Sequence, residues 1–250
     1  MSILDDVRTV VIVHAHPDDE TISSGGLLAE LVERGTRVVL VTATRGERGE
    51  IVPGWLPGDP DDVDLVTERQ RELRGALDVL GVGEHHWLGE PPARAAGLPP
   101  RRYRDSGMVW IRPGTAGPAP DADDDAFARA DLEDATADLT ALVRSVRPDL
   151  LVSYASDGGY GHPDHVRAHE ITRRAAAVSD VPFAELTHEP AVDSEWLDLE
   201  QHRATVTAAL QQHGSQLTAR GDELTHSGGQ RQTIDPSVGL RLRPTGPSAS

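Results

Sequence analysis

Thr9 to His14 (TVVIVH) is an unbroken run of β-branched and other strand-forming residues. Strict alternation of apolar and polar side chains buries one face of a strand. A continuous run buries both, as the inner strands of a parallel sheet do. Gly25-Gly26 then lead into LLAELVERG, with apolar residues at helical spacing and Gly35 as the stop. RVVLVTAT follows as a second buried strand. A β-α-β opening of this kind calls for parallel pairing and a right-handed crossover.

The alternation continues. Thr67 to Leu80 reads as an amphipathic helix with Leu73, Leu77 and Leu80 on one stripe, and HHWLG as a short strand. Asp131 to Arg147 is a helix closed by Pro148, and DLLVSYA a strand. Pro163 to Val178 is a helix with proline in its first turn. PFAELTHE reads as an edge or late strand and Glu195 to Gln212 as a helix. GERGEIVPGWLPGDPDD, rich in Gly, Pro and Asp, reads as a long loop, and Glu90 to Asp125, of similar composition, is a loop of the length that shapes a binding site. The expected fold is α/β: a Rossmann-like, open, mostly parallel sheet with helices on both faces, in three layers. The expected division is a single α/β domain over 1–220 and a polar, flexible tail over 221–250, where Ser, Gly and Pro accumulate.

Composition narrows the function. The net charge of −17 disfavours nucleic acid and anionic lipid as partners. No apolar run approaches a membrane span. The chain has no cysteine, which rules out disulfides and thiolate metal sites and suits a reducing cytosol. Acidic residues precede the short apolar run at the N-terminus, unlike a secretory signal. Together these predict a cytoplasmic protein.

The chemistry lies in two clusters. His14-Ala15-His16-Pro17-Asp18-Asp19-Glu20 follows the first strand, and Asp157-Gly158-Gly159-Tyr160-Gly161-His162-Pro163-Asp164-His165 follows the strand at Leu150 to Tyr154. Each sits at a strand's carboxyl end, where open α/β sheets bind ligands. Imidazole and carboxylate donors suit zinc, and iron(II) or cobalt equally fit. Of two adjacent aspartates, one can bind metal while the other takes a proton from water. Capping of the following helix needs one carboxylate, not three and a His-Pro.

His-Pro-Asp-Asp-Glu paired with Gly-His-Pro-Asp-His resembles the PIG-L (LmbE-like) de-N-acetylase family, over about Val10 to Ala176. Within it, the resemblance is closest to members that deacetylate N-acetylglucosaminyl-inositol in mycothiol biosynthesis and to those that cleave mycothiol S-conjugates. The resemblance implies His16, Asp19 and His165 as ligands of a zinc ion and Asp18 as general base. It implies His162 as the group that stabilises the tetrahedral intermediate and protonates the amine, with Asp164 hydrogen-bonded to His162 to keep it charged. Tyr160 matches a mobile tyrosine that polarises the amide carbonyl. Arg69 and Asp105 match substrate-contacting positions, with a solvated helix face as the other reading of Arg69, and Glu47, after the second strand, lines the pocket or lies in a surface loop. His14 is expected to support the site from behind, His169 to do the same or to lie at the surface, and Trp55 or Trp110 to stack on a sugar or anchor a loop.

The implied reaction removes an N-acetyl group from an N-acetylglucosamine-type amino sugar or conjugate, an N-acetylglucosaminyl-inositol being preferred. A conjugate amidase or a natural-product deacetylase is the alternative. Ile22-Ser23-Ser24 stands where the amidase type carries lysine, which favours deacetylation; the C-terminal region is reduced, which loosens the inositol assignment. A small amino-sugar substrate is the expected partner, and a homo-oligomer is compatible with the sequence. Retention of Asp18, His162 and Asp164 argues against a sugar-binding module without turnover, and too few bridging carboxylates argue against a two-metal phosphoesterase.

Overall fold

A computed structural model describes residues 2–56 and 62–244. In chain order the elements are β1 (Thr9–His14), α1 (Asp19–Glu33), β2 (Arg37–Thr42), α2 (Asp62–Leu80), β3 (Glu84–Trp87), β4 (Met108–Arg112), β5 (Thr115–Pro118), α3 (Leu132–Val146) and β6 (Leu150–Ser153). There follow α4 (Gly158–Gly161), α5 (Pro163–Ser179), β7 (Phe183–Thr187), β8 (Glu195–Leu197), α6 (Arg203–Leu210), β9 (Leu217–Arg220), β10 (Glu223–His226), β11 (Arg231–Thr233) and β12 (Val238–Arg243). Among the described residues, seven strands form the central sheet in the order β3-β2-β1-β6-β7-β12-β8. The first five are mutually parallel, and β12 runs antiparallel to both of its neighbours.

The unbroken run of β1 is buried on both faces, as its composition requires. Val10 and Ile12 pack with Leu27, Leu28 and Leu31 of α1 and Leu73 and Leu77 of α2. Val11 and Val13 pack on the other face with Leu139 and Leu142 of α3 and Ile171 of α5. Each such fully buried side chain contributes about 1.5–3 kcal/mol of transfer free energy, so the three layers follow directly from the pattern. The α/β expectation holds.

Three local expectations do not. Glu195–Leu197 is a strand, and the helix after it occupies only Arg203–Leu210, beyond a short 3-10 turn at Glu200–His202. The loop after Glu90 contains the β4–β5 hairpin, with a register shift between Trp110 and Arg112. The expected flexible tail from 221 is corrected across residues 221–244. Val238 and Leu240 of β12 are buried between β7 and β8, and β10 joins β9 and β11 in a second sheet. The burial of alternate side chains on β12 supplies the apolar surface that its polar surroundings obscured. Residues 245–250 of that expectation lie outside the described residues. No helix among the described residues is long and apolar enough to cross a membrane.

The chain moves from β1 outward to β2 and β3, then returns to place β6 on the other side of β1. The direction of winding reverses between β1 and β6. That switch point opens a crevice at the carboxyl ends of both strands, and each motif follows one of them.

Candidate active site

His16, His162 and His165 each present a ring nitrogen within 4.8 Å of the others, so the two motifs converge. Asp19, in the first turn of α1, lies between them: its Oδ2 is 3.1 Å from His16 Nδ1 and 3.2 Å from His165 Nε2. The same oxygen accepts the His16 backbone N–H at 2.9 Å. Burial opposes its ionisation, but His165 and His16 hold the Asp19 carboxyl well below its usual range.

The tautomer of His165 decides what the cluster can bind. Its Nδ1–H donates to the Gly158 carbonyl at 3.1 Å, so in the neutral ring Nε2 is the nitrogen that carries the lone pair. That buried Nε2 has no hydrogen-bond partner and faces a carboxylate oxygen. Two electron pairs in that position call for a cation or a proton between them, and a metal ion fits. Gly158 makes the arrangement possible. Its φ of 69° suits glycine, and a Cβ there would lie 2.9 Å from the His165 Cβ. A second grouping shares one residue with the first: His16, Asp105 and Asp164 also bring ligand atoms within 4.8 Å of one another.

Asp18 is half-buried and immediately precedes α1 with φ 106°. Its side chain makes no capping hydrogen bond, which leaves the carboxylate for the cavity that it lines. Burial and the neighbouring Asp19 push it up to about 8. The cavity has a volume of about 770 Å³ and is also walled by His16, Asp19, Tyr160, His162 and His165.

The profile of the PIG-L family, described as GlcNAc-PI de-N-acetylase, matches residues 11–176, which include both motifs. The chain belongs to the PIG-L family. A 1D-myo-inositol 2-acetamido-2-deoxy-alpha-D-glucopyranoside deacetylase of Kineococcus radiotolerans is 47% identical over 177 residues, 70% of this chain and 46% of that protein. The chain spans about half the length of the curated relatives it matches first. An N,N'-diacetylchitobiose deacetylase from Pyrococcus horikoshii superposes with a TM-score of 0.65 at 18% identity, covering 97% of this chain and 86% of that one. GalB, a 4-carboxy-2-hydroxymuconate hydratase from Pseudomonas putida, superposes with a TM-score of 0.58 at 19% identity, covering 97% and 100%. These likenesses establish the fold, and a fold shared by a deacetylase and a hydratase leaves the reaction to the site.

In this PIG-L chain one expected contact is not made. The Asp164 carboxylate does not reach His162. It accepts the Ser106 backbone N–H at 2.9 Å and the Ser106 hydroxyl, and it lies 3.1 Å from His16 Nε2. His162 is the N-cap of α5, and its Nδ1 accepts the Asp164 backbone N–H at 3.2 Å. Burial and the adjacent His16 and His165 hold the His162 imidazole well below its ordinary pKa, so it is neutral with its proton on Nε2. Asp164 therefore acts on His16. Burial works against charge there, but Asp105, Asp164 and Asp19 together hold His16 well above the usual imidazole value.

The three expected substrate-binding residues divide. Asp105 lines the cavity, 3.7 Å from His16 Nε2, and accepts N–H groups of Gly107 and Arg48 at 2.8 and 3.2 Å. Arg69 also lines it, but donates to the Gly46 carbonyl and, at 3.2 Å, to the Glu50 carbonyl. A Cβ at Gly46 or Gly49 would collide with its guanidinium, which accounts for both glycines of GERGE. Glu47 does not line the cavity. It is buried behind the wall, where it binds Arg102 at 2.8 Å and accepts the Asp105 N–H at 3.1 Å. Trp55 anchors a loop, donating to Glu68 at 2.8 Å, whereas Trp110 is 48% exposed, lines the cavity and lies 5.8 Å from the Tyr160 ring.

Sequence reasoning passed over Tyr154. Its hydroxyl accepts the Ala15 N–H at 2.9 Å and hydrogen-bonds Asp19, while its ring stacks on His165 at 4.1 Å. His169 supports it from behind through the Tyr154 carbonyl at 2.9 Å. The signal was available: Tyr154 directly follows β6, at the carboxyl end where ligands bind. His14 is buried, bonds Ser24 at 2.8 Å and is pushed down to about 4 by burial. His188 and His226 carried no signal, yet both line the far side of the cavity.

Proposed function

We propose that this chain hydrolyses the N-acetyl group of an N-acetylglucosamine-type amino sugar, with an N-acetylglucosaminyl-inositol as the preferred substrate, releasing acetate and a free amine. The observation that carries the reading is the bare Nε2 of His165 facing Asp19, with the uncommitted carboxylate of Asp18 beside it. His16, Asp19 and His165 would hold the metal, which we assign as zinc. When bound, that ion supplies Lewis acidity, polarising the amide carbonyl and lowering the pKa of water.

The chain's own groups perform the proton transfers. Asp18 accepts the proton of the water that attacks the acetyl carbon. His162, neutral with Nε2–H, donates a hydrogen bond to the developing oxyanion, and the Tyr160 hydroxyl is a second donor. Because His162 is not held as a cation, we assign return of the proton to the leaving amine to Asp18. Asp105 faces the sugar, and Arg69 and Glu47 keep the wall that carries it in place.

The test is acetate release from N-acetylglucosamine, its inositol glycoside and a mycothiol conjugate. The inositol glycoside is expected to show the largest kcat/KM. Acetate from none of the three, with a metal-loaded protein, would overturn the assignment. The aromatic rim gives a second expectation. Trp110→Ala should raise KM by about 2- to 12-fold with little change in kcat, the worth of one aromatic contact. An unchanged KM in steady-state kinetics would remove Trp110 from the binding surface.

A further inference from the structure

The φ of 106° at Asp18 has to be imposed by its surroundings, because a free aspartate relaxes to negative φ. Glu20 supplies the hold. Its Oε2 accepts the Asp18 backbone N–H at 2.9 Å, and its Oε1 accepts the Thr21 hydroxyl at 2.6 Å. A further donor comes from 193 positions along the chain: His213 Nε2 lies 2.8 Å from Glu20 Oε1, with both side chains fully buried. Gln216 reaches His213 Nδ1 at 3.3 Å and itself lines the cavity. The segment bearing His213 is fixed in turn. Ser215 donates its N–H and hydroxyl to Glu72 at 2.6 and 2.7 Å, and Val52 N–H donates to the Ser215 carbonyl at 2.7 Å.

We propose that His213 is a positioning residue for hydrolysis, locking Glu20 so that Glu20 fixes the Asp18 peptide with its carboxylate toward the cavity. The inference rests on the reading of Asp18 as general base. A buried ion pair with only a structural task is replaceable by apolar side chains at little loss. Here one Glu20 oxygen also holds the strained peptide, so loosening Glu20 displaces the group that moves the proton. The region beyond the family match thereby reaches back into the first motif.

The test compares His213→Gln, whose amide nitrogen falls near the position of Nε2, with His213→Asn, whose shorter amide cannot reach Glu20. Both keep a polar side chain, and both are made in the full chain. In His213→Asn, amide exchange at Asp18 should accelerate about 10- to 100-fold by NMR while Val11 and Val13 of β1 stay protected. Its kcat should fall about 10- to 100-fold with KM within about twofold, as for a misplaced reacting group. His213→Gln should restore kcat to within about threefold of wild type. Combined with Asp18→Asn, His213→Asn should cost nothing further, since it acts through Asp18. Unchanged exchange at Asp18, or losses that multiply in the double variant, would overturn the proposal. Wild-type turnover by Asp18→Asn would instead remove the base assignment, and the exchange at Asp18 separates that failure from this one.

Discussion

Asp18→Asn is expected to lower kcat by about 10²–10⁴-fold while metal content stays at the wild-type level. Asparagine keeps the shape of the side chain and tolerates positive φ better than most residues, so the backbone is undisturbed. What it loses is the ability to take a proton. Asp18 is suited to that task because burial and Asp19 lift its carboxyl up to about 8. The base works only when deprotonated, so turnover falls as pH drops through its pKa. A divalent cation beside Asp19 draws that pKa downward, which places the acid limb of kcat/KM below 8. That limb should disappear in the asparagine variant. Asp18→Gly separates chemistry from strain. A non-glycine residue at φ 106° costs about 1–3 kcal/mol, so glycine should raise stability by a net ~1 kcal/mol, or roughly 2–4 °C in Tm, while activity is lost. Asp18→Asn turnover within about threefold of wild type would refute the assignment.

The parts legible in the sequence are those set by short-range pattern. TVVIVH could only be an inner strand, and two His-Pro-Asp motifs after two such strands could only face each other if those strands were neighbours, which they are. The β8 and β12 strands were not legible for a different reason. Each depends on a partner far along the chain, and three residues at Glu195–Leu197 hold too little pattern to outweigh the helical spacing of the residues leading to Gln212. VGLRLR of β12 does alternate apolar and polar residues, the signature of a strand with one buried face, but Ser, Gly and Pro around it masked the signal. At the site, the motif identifies residues but not atoms. Pro163 at the start of α5 makes His162 the N-cap, so its Nδ1 is taken by the Asp164 N–H and the Asp164 carboxylate turns toward His16. Glu47 sits in a Gly-rich loop that reads as pocket wall, yet the two glycines serve Arg69, and Glu47 itself binds Arg102 behind that wall.

Chelation is expected to abolish turnover, and zinc to restore it at a stoichiometry of about one ion per chain. The cause is local. His165 Nε2 and Asp19 Oδ2 face each other across 3.2 Å, an imidazole nitrogen and a carboxylate oxygen that one divalent cation can bridge. An ion that binds only the folded chain stabilises it by mass action, about 2.7 kcal/mol at 100 times Kd, which for a chain of this size is a rise of roughly 5–10 °C in Tm. His165→Ala and Asp19→Ala should lose both the bound ion and the Tm response. Asp164→Asn should keep the site but weaken it about 10- to 100-fold, because the carboxylate that orients His16 through Nε2 is gone. The same variants distinguish the two groupings that share His16. If the ion sits instead with Asp105 and Asp164, Asp105→Asn eliminates binding and His165→Ala leaves it intact. Full activity after exhaustive chelation, with no Tm response to zinc, cobalt or iron(II), would show that the lone pair of His165 is answered by a proton and that hydrolysis here needs no metal.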